Sequence, residues 1–276
     1  MSIVEPKDIY HRIHGPDILS PQTYPVVLLH GLMGFSANWG KIWPELHHRR
    51  PVLVLDQRGH GKSPKPKSGY TPTDYARDLK ALLDLLGWAK VHVVGHSMGG
   101  RVALRFASLF PERSLSLTLE DSGTDSKTER VNWIQELLAS IPTPFKTREE
   151  AKAFFTENFK SDPMTGGFLH MNLEPKESGK LDWRFYAPGM IETIETGRAT
   201  DASREFAELA LPTLIVRGGR SKEFPAAEAR HMASSRKLTS LVTIEGAGHF
   251  VHAEKPLEFT KALAVFLEQV EHETFK

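Results

Sequence analysis

Residues 91–100 read VHVVGHSMGG, and this stretch decides the fold. Its first half is a β-branched run that predicts a buried strand, and residues 98–110 carry a helical pattern. Between them lies Gly95-x-Ser97-x-Gly99, a pattern typical of a sharp strand-to-helix turn that exposes a serine hydroxyl. Ser97 is therefore a candidate nucleophile, because the motif has the strand before it and the helix after it that it requires.

The alternation of strands and helices continues on both sides of this turn. Apolar runs predict further strands at residues 25–31, 51–56, 116–121, 212–218 and 240–246. Strands that alternate with helices predict an α/β fold with a mostly parallel central sheet flanked by helices. The strand pattern stops between residues 122 and 210, where helical patterns prevail. We predict a core formed by residues 1–121 and 211–276, with residues 122–210 inserted as a helical cap or lid after the strand ending at Asp121.

The composition excludes several classes of protein. The 276 residues include no Cys and carry a net charge of +1. The lack of Cys excludes a thiol nucleophile. The near balance of acidic and basic residues gives no reason to expect nucleic acid as a partner. We find no signal-peptide pattern, no apolar run long enough to span a bilayer, and no nucleotide or metal motif. The expectation is a cytoplasmic protein without stable membrane association, metal or cofactor.

A serine hydroxyl is a weak nucleophile and needs a base. His249 follows the last predicted strand in the Gly-rich loop 246–249, and it is the candidate base. His252, three residues later, is the alternative. A metal site formed by these two histidines is not favoured, because no third ligand is evident.

An oxyanion formed during attack by Ser97 needs two backbone donors. One candidate is the N–H of Met98, which follows the nucleophile. The other is the N–H of Leu32, in the loop after the strand at residues 25–31.

These motifs, with His30-Gly31 and the loop 56–63 (DQRGHGKS), resemble the α/β-hydrolase fold superfamily in order and spacing. Residues 183–185, 218–221 and 246–256 resemble the ybfF-type branch of small bacterial esterases. The resemblance implies a Ser-His-Asp triad, a cap domain, and hydrolysis of short carboxylic esters or acyl thioesters through an acyl-enzyme. Ser97 argues against haloalkane dehalogenases and soluble epoxide hydrolases, which place Asp at this turn.

The acid of the triad is where the sequence departs from the commonest pattern of the superfamily. Ser221 stands where the acid usually lies. Two replacements are available: Glu223 in the same loop, and Asp121 at the tip of the earlier strand. The resemblance to ybfF-type enzymes implies Asp121. Glu120 should point to the opposite face of the strand, because side chains alternate along it.

Aromatic residues near the oxyanion loop and in the insertion are the candidate substrate-binding residues: Phe35, Trp39, Trp133, Trp183 and Phe185. These aromatic residues predict a substrate whose acyl group is apolar. The expected function is a serine hydrolase, a carboxylesterase whose only partner is a small-molecule acyl ester or thioester. A lactonase, a carbon–carbon bond hydrolase with the same triad, and a non-enzymatic ligand receptor are the alternatives. The sequence does not distinguish a monomer from a homodimer.

Overall fold

A computed structural model of the chain describes residues 4–16, 23–125 and 131–274; residues 126–130 of the predicted cap lie outside the described residues. The strands in this part of the chain are β1 (His11–His14), β2 (Val26–Leu29), β3 (Val52–Leu55), β4 (Val91–His96), β5 (Ser114–Glu120), β6 (Leu173–Pro175), β7 (Leu181–Trp183), β8 (Thr213–Gly218) and β9 (Thr239–Ile244). The α-helices are α1 (Trp43–Leu46), α2 (Pro72–Leu85), α3 (Met98–Leu109), α4 (Val131–Ser140), α5 (Arg148–Asn158), α6 (Pro163–Met171), α7 (Ala187–Ala199), α8 (Ser203–Glu208), α9 (Ala226–Ser234), α10 (Val251–Glu254) and α11 (Pro256–Thr274).

Seven of the strands form one sheet in the order β1-β3-β2-β4-β5-β8-β9. All neighbouring strands pair in parallel except β1 and β3, which are antiparallel. The predicted mostly parallel sheet is therefore confirmed. The edge strand β1 was not predicted, because its sequence HRIH lacks an apolar run and two of its four residues are exposed.

Helices cover both faces of this sheet, and the strand alternation explains why. Val93 and Val94 are consecutive residues of β4, so their side chains point to opposite faces. Val93 packs in the cluster that includes Leu79 of α2, whereas Val94 packs in the cluster that includes Phe259 of α11. All six residues of β4 are buried, so its sequence does not alternate between buried apolar and exposed polar residues.

The turn between β4 and α3 is closely packed around two glycines. A Cβ on Gly95 would lie 2.1 Å from the carbonyl oxygen of Gly99. A Cβ on Gly99 would lie 2.4 Å from the carbonyl oxygen of Leu29 in β2. The missing side chains let α3 start against the sheet, which brings the N-terminus of the helix to the carboxyl ends of the strands.

The segment between β5 and β8 contains α4 to α8 and one feature that was not predicted. The strands β6 and β7 form an antiparallel hairpin in which Leu173 pairs with Trp183. Each strand has only three residues, too few for an alternating pattern to be recognised. The segment contacts the core where the Tyr186 N–H donates to the Gly59 carbonyl. Among the described residues, no helix combines the length and the apolar content that a membrane crossing needs.

Candidate active site

Ser97 occupies the turn between β4 and α3 with a φ angle of 52°. This left-handed conformation is uncommon for a residue with a side chain and is characteristic of functional sites. Two hydrogen bonds fix the turn: the Ser97 N–H donates to the Glu120 carbonyl (2.9 Å), and the Ser122 hydroxyl donates to the Ser97 carbonyl (2.8 Å). The turn presents Ser97 to a large cavity that His249 also lines.

His249 lies next to Asp121, although 128 positions separate them along the chain. The Nδ1 atom of His249 is 2.7 Å from Oδ2 of Asp121. The carboxylate is fully buried, while 23% of the His249 side chain is exposed toward the cavity. Because a carboxylate only accepts, Nδ1 carries the proton, and Nε2 of a neutral His249 is left as a proton acceptor.

The loop after β8 contributes Ser221 to this pair rather than an acid. The Ser221 hydroxyl donates to Oδ2 of Asp121 (2.5 Å), and the Gly218 N–H donates to Oδ1 (3.0 Å). The Asp121 carboxylate therefore accepts three hydrogen bonds, counting the one from His249. Glu223 forms an ion pair with Arg198 (3.5 Å). Of the two candidate acids, the structure brings Asp121 to His249.

His252, the alternative base, is buried and bonded to Glu120. Its Nδ1 donates to Oε1 (2.8 Å) and Oε2 (3.0 Å) of Glu120. His96, Glu120 and His252 are all buried, and their potential ligand atoms lie within 4.8 Å of one another. Within this cluster, the Glu120 carboxylate is bonded to His252, and Nε2 of His96 donates to the His249 carbonyl (3.0 Å). This cluster includes His252 and not His249, so it differs from the His249–His252 pair that the sequence raised.

Leu32 and Met98, the candidate oxyanion donors, both line the cavity beside Ser97. Two buried histidines fix the loop that carries Leu32. His60 accepts a hydrogen bond from the Met33 N–H (3.2 Å), and His30 accepts one from the Gln57 N–H (3.0 Å). Burial lowers the pKa of both His30 and His60, which keeps their rings neutral and able to accept these bonds.

The cavity has a volume of about 1280 Å³. The core contributes the floor, which includes Ser97 and His249, and helices α4, α6 and α7 contribute to the walls. The walls are mixed in character. Phe168 and Ile194 are apolar, whereas Arg198 is charged. The cavity is large enough for a small organic substrate with room for its leaving group.

Comparison with known proteins identifies the family of the chain. The sequence profile of the alpha/beta hydrolase fold matches residues 24–256. The chain belongs to the α/β-hydrolase fold family.

Two sequence relatives and two solved structures illustrate what this α/β-hydrolase is similar to. The 2-(acetamidomethylene)succinate hydrolase of Mesorhizobium japonicum is 26% identical over 88% of this chain and 87% of the relative. A crystal structure of an E-2-(acetamidomethylene)succinate hydrolase superposes with a TM-score of 0.83 at 26% identity, covering 96% of this chain and 97% of the other. An sn-1-specific diacylglycerol lipase of Mus musculus is 30% identical over 88% of this chain and 80% of the relative. The structure of a marine microorganism esterase has a TM-score of 0.80 at 26% identity, with 94% and 99% covered. These relatives support hydrolase activity.

The aromatic residues predicted to bind substrate require a correction. Trp133 lines the cavity of the α/β-hydrolase and is 47% exposed. Trp39 is fully buried against His252, with ring centroids 4.6 Å apart. The other three also lie outside the cavity lining: Trp183 and Phe185 stack on each other in the interior, and Phe35 packs under the Arg184 guanidinium. The expected substrate contacts of Phe35, Trp39, Trp183 and Phe185 were wrong, because their rings are used in packing.

Other residues of the α/β-hydrolase lie at the cavity and were missed. Phe168 of α6 packs against Phe250, with ring centroids 5.0 Å apart, and both line the cavity. A signal was available for Phe250, which directly follows the candidate base. No pattern distinguished Phe168 from the other aromatic residues of the segment. Ser221 was noted only as a missing acid, although its hydroxyl contacts Asp121.

Proposed function

We propose that the chain is a serine hydrolase that cleaves small carboxylic esters or acyl thioesters through Ser97, His249 and Asp121. The observation that carries this proposal is the 2.7 Å hydrogen bond from His249 to the buried Asp121, in a cavity that Ser97 also lines. Nucleophile, base and orienting acid are the three parts that acyl transfer by a hydroxyl group requires.

The reaction begins when Nε2 of His249 removes the proton from Ser97 Oγ as that oxygen attacks the acyl carbonyl carbon. The negative charge that develops on the carbonyl oxygen accepts hydrogen bonds from the N–H groups of Leu32 and Met98. The imidazolium then gives its proton to the leaving alcohol or thiol as the C–O or C–S bond breaks, which leaves an acyl-enzyme. His249 next deprotonates a water molecule that attacks this intermediate, and the carboxylic acid leaves.

Residues 122–210 act in this proposal as a cap that provides the substrate-binding walls. Phe159, Phe168 and Ile194 from this segment line the cavity, and the core contributes Phe250. This apolar set suits the acyl chain, in place of the four aromatic residues corrected above. The polar remainder of the wall suits a substrate that also carries polar groups.

A panel of p-nitrophenyl esters from acetate to palmitate tests the proposal, with wild type and Ser97→Ala measured side by side. We expect an optimum at short or medium acyl chains and a loss of at least about 10³-fold in kcat for Ser97→Ala. A wild-type chain that folds but turns over no ester or thioester would contradict the proposal. Tight ligand binding without turnover would then favour a receptor.

A second substrate class is an acyl compound that carries a carboxylate. It is supported by Arg198 and Arg220, which line the cavity, each within 4 Å of a glutamate that a substrate carboxylate can replace. The Mesorhizobium relative, named for hydrolysis of a succinate derivative, agrees with this class. Comparison of a p-nitrophenyl ester of succinic acid with the butyrate ester tests it. Higher kcat/KM for the charged ester, lost in Arg198→Met, is the expected result.

A further inference from the structure

A second histidine–carboxylate pair lies next to the first. Glu120 is the last residue of β5 and Asp121 follows it, and their partners are also close in the chain: His249 lies in the loop after β9, and His252 lies three residues later in α10. Glu120 binds His252 twice, because Oε1 accepts both the ring Nδ1–H and the backbone N–H, each at 2.8 Å. The Glu120 side chain is fully buried and that of His252 nearly so. The second pair therefore lies inside the protein, away from the cavity.

Glu120 connects this buried pair to the nucleophile. Its backbone carbonyl accepts the hydrogen bond from the Ser97 N–H (2.9 Å), while its side chain holds the start of α10 through His252. One residue thus binds the turn that carries Ser97 and also the segment that follows His249. The spacing between Ser97 and His249 depends on both attachments.

His96 completes the connection from the other side. It precedes Ser97, and its Nε2–H donates to the backbone carbonyl of His249 (3.0 Å). Its ring lies between those of His249 and His252, with centroid distances of 4.7 and 4.9 Å. Burial lowers the pKa of His96 well below its ordinary value. The ring is therefore neutral, and its single proton lies on Nε2, where the carbonyl of His249 needs it.

We propose that Glu120, His252 and His96 are positioning residues that hold the His249 ring against Asp121 and within reach of Ser97. Without them, His249 would lie in a loop containing Gly246 and Gly248, whose backbone is permissive. A displacement of about 1 Å at a catalytic group costs on the order of a hundredfold in rate. This inference rests on the proposed function, since it assigns the supports of the same site.

The test compares His252→Leu, which removes the ring donor, with His252→Asn, whose amide nitrogen takes the place of Nδ1. Glu120→Gln is the second perturbation in case His252→Leu does not fold. His92→Leu is the matched control, because His92 is also a buried histidine paired with a carboxylate, Glu271. It lies on β4, five residues before Ser97 and about 16 Å from it.

Two readouts distinguish positioning from general stability. The first is ester turnover against pH, normalised to the number of sites titrated by a fluorophosphonate. We expect kcat to fall by about 10- to 100-fold in His252→Leu with KM within threefold, recovery of most of the loss in His252→Asn, and wild-type kinetics in His92→Leu. In Glu120→Gln the acid limb of the profile should also move to lower pH, because a buried negative charge near the base is removed.

The second readout needs no substrate. A proton on Nδ1 of His249, bonded to a buried carboxylate, gives a strongly downfield proton NMR signal, which is assigned by its absence in Asp121→Asn. We expect this signal to weaken or broaden in His252→Leu and to persist in His92→Leu. If both His252→Leu and Glu120→Gln keep this signal and the normalised kinetics of wild type, with only their stability lowered, the inference is overturned.

The same readout separates this inference from the proposed function. If wild type shows the downfield signal and hydrolyses no ester or thioester, the proposed function fails. The NMR comparison of His252→Leu with His92→Leu still decides whether the buried pair positions His249.

Discussion

Replacing Asp121 with Asn is the perturbation that most directly examines how the site works. The side chain keeps its size, so the packing is preserved while the negative charge is removed. Asp121 accepts from the His249 ring, the Ser221 hydroxyl and the Gly218 N–H. In the variant, an amide nitrogen that faces His249 would place the ring in the wrong tautomer, with Nε2 protonated and unable to accept the Ser97 proton.

The size of the effect follows from the geometry. The imidazolium that forms during the reaction lies beside a carboxylate oxygen 2.7 Å from Nδ1, and the Asp121 side chain is fully buried. Unit charges centred about 4 Å apart interact by about 4 kcal/mol at an effective dielectric constant near 20. That energy corresponds to about a thousandfold in rate, and the unfavourable tautomer adds up to about tenfold. We therefore expect kcat to fall by about 10³- to 10⁴-fold in Asp121→Asn.

The assay is steady-state hydrolysis of the best p-nitrophenyl ester, with circular dichroism to verify folding. Glu223→Gln is the matched control, because Glu223 lies in the loop that usually carries the acid and pairs with Arg198. We expect this control to stay within about threefold of wild type on uncharged esters. If Glu223→Gln loses turnover and Asp121→Asn retains it, the assignment of the acid is refuted.

Two further predictions concern stability. Gly99→Ala should lower the free energy of unfolding by about 1–3 kcal/mol, because its Cβ would lie 2.4 Å from the Leu29 carbonyl oxygen. Gly167→Ala in α6 should raise the free energy of unfolding by about 0.5–1 kcal/mol, because its Cβ would meet nothing within 4 Å. Urea denaturation of the two variants checks this pair, and equal effects would contradict it. Stability should also fall between about pH 6.5 and pH 5, because burial lowers the folded-state pKa of several histidines, among them His30, His60 and His96. The unfolded chain then binds more protons than the folded chain over this range. Each can contribute up to about 1.4 kcal/mol per pH unit, and urea midpoints that do not decrease over this range would contradict the expectation.

The fold could be predicted from the sequence wherever a strand was long or buried on both faces. β2 and β3 are continuously apolar because each is covered by helices on both sides, and every residue of β4 is buried for the same reason. The hairpin of β6 and β7 could not be predicted, because strands of three residues leave no periodic pattern. The edge strand β1 was missed for a related reason, since its four residues HRIH contain one apolar residue and only pairing with β3 defines the strand.

The candidate site could be predicted to the extent that strand order governs it. Ser97 and Asp121 lie at the carboxyl ends of adjacent parallel strands, so their proximity follows from the topology. The direction of an aromatic ring does not follow in this way. The sequence identifies an aromatic residue but not whether its ring packs inward or faces the cavity, and so Trp39, in the segment after β2, and Trp183, on strand β7, were misplaced. The second pair, Glu120 and His252, could not be recognised from the sequence, because only packing brings the two side chains together.

Trapping the acyl-enzyme would show whether Ser97 is the nucleophile. The enzyme is mixed with p-nitrophenyl acetate, quenched in acid within the first turnover, and analysed by intact mass spectrometry followed by peptide mapping. We expect one added acetyl group per chain, located on the peptide that contains Ser97, and none in Ser97→Ala. An acetyl group on another residue, or p-nitrophenol release by the folded wild type that persists unchanged in Ser97→Ala, would contradict it.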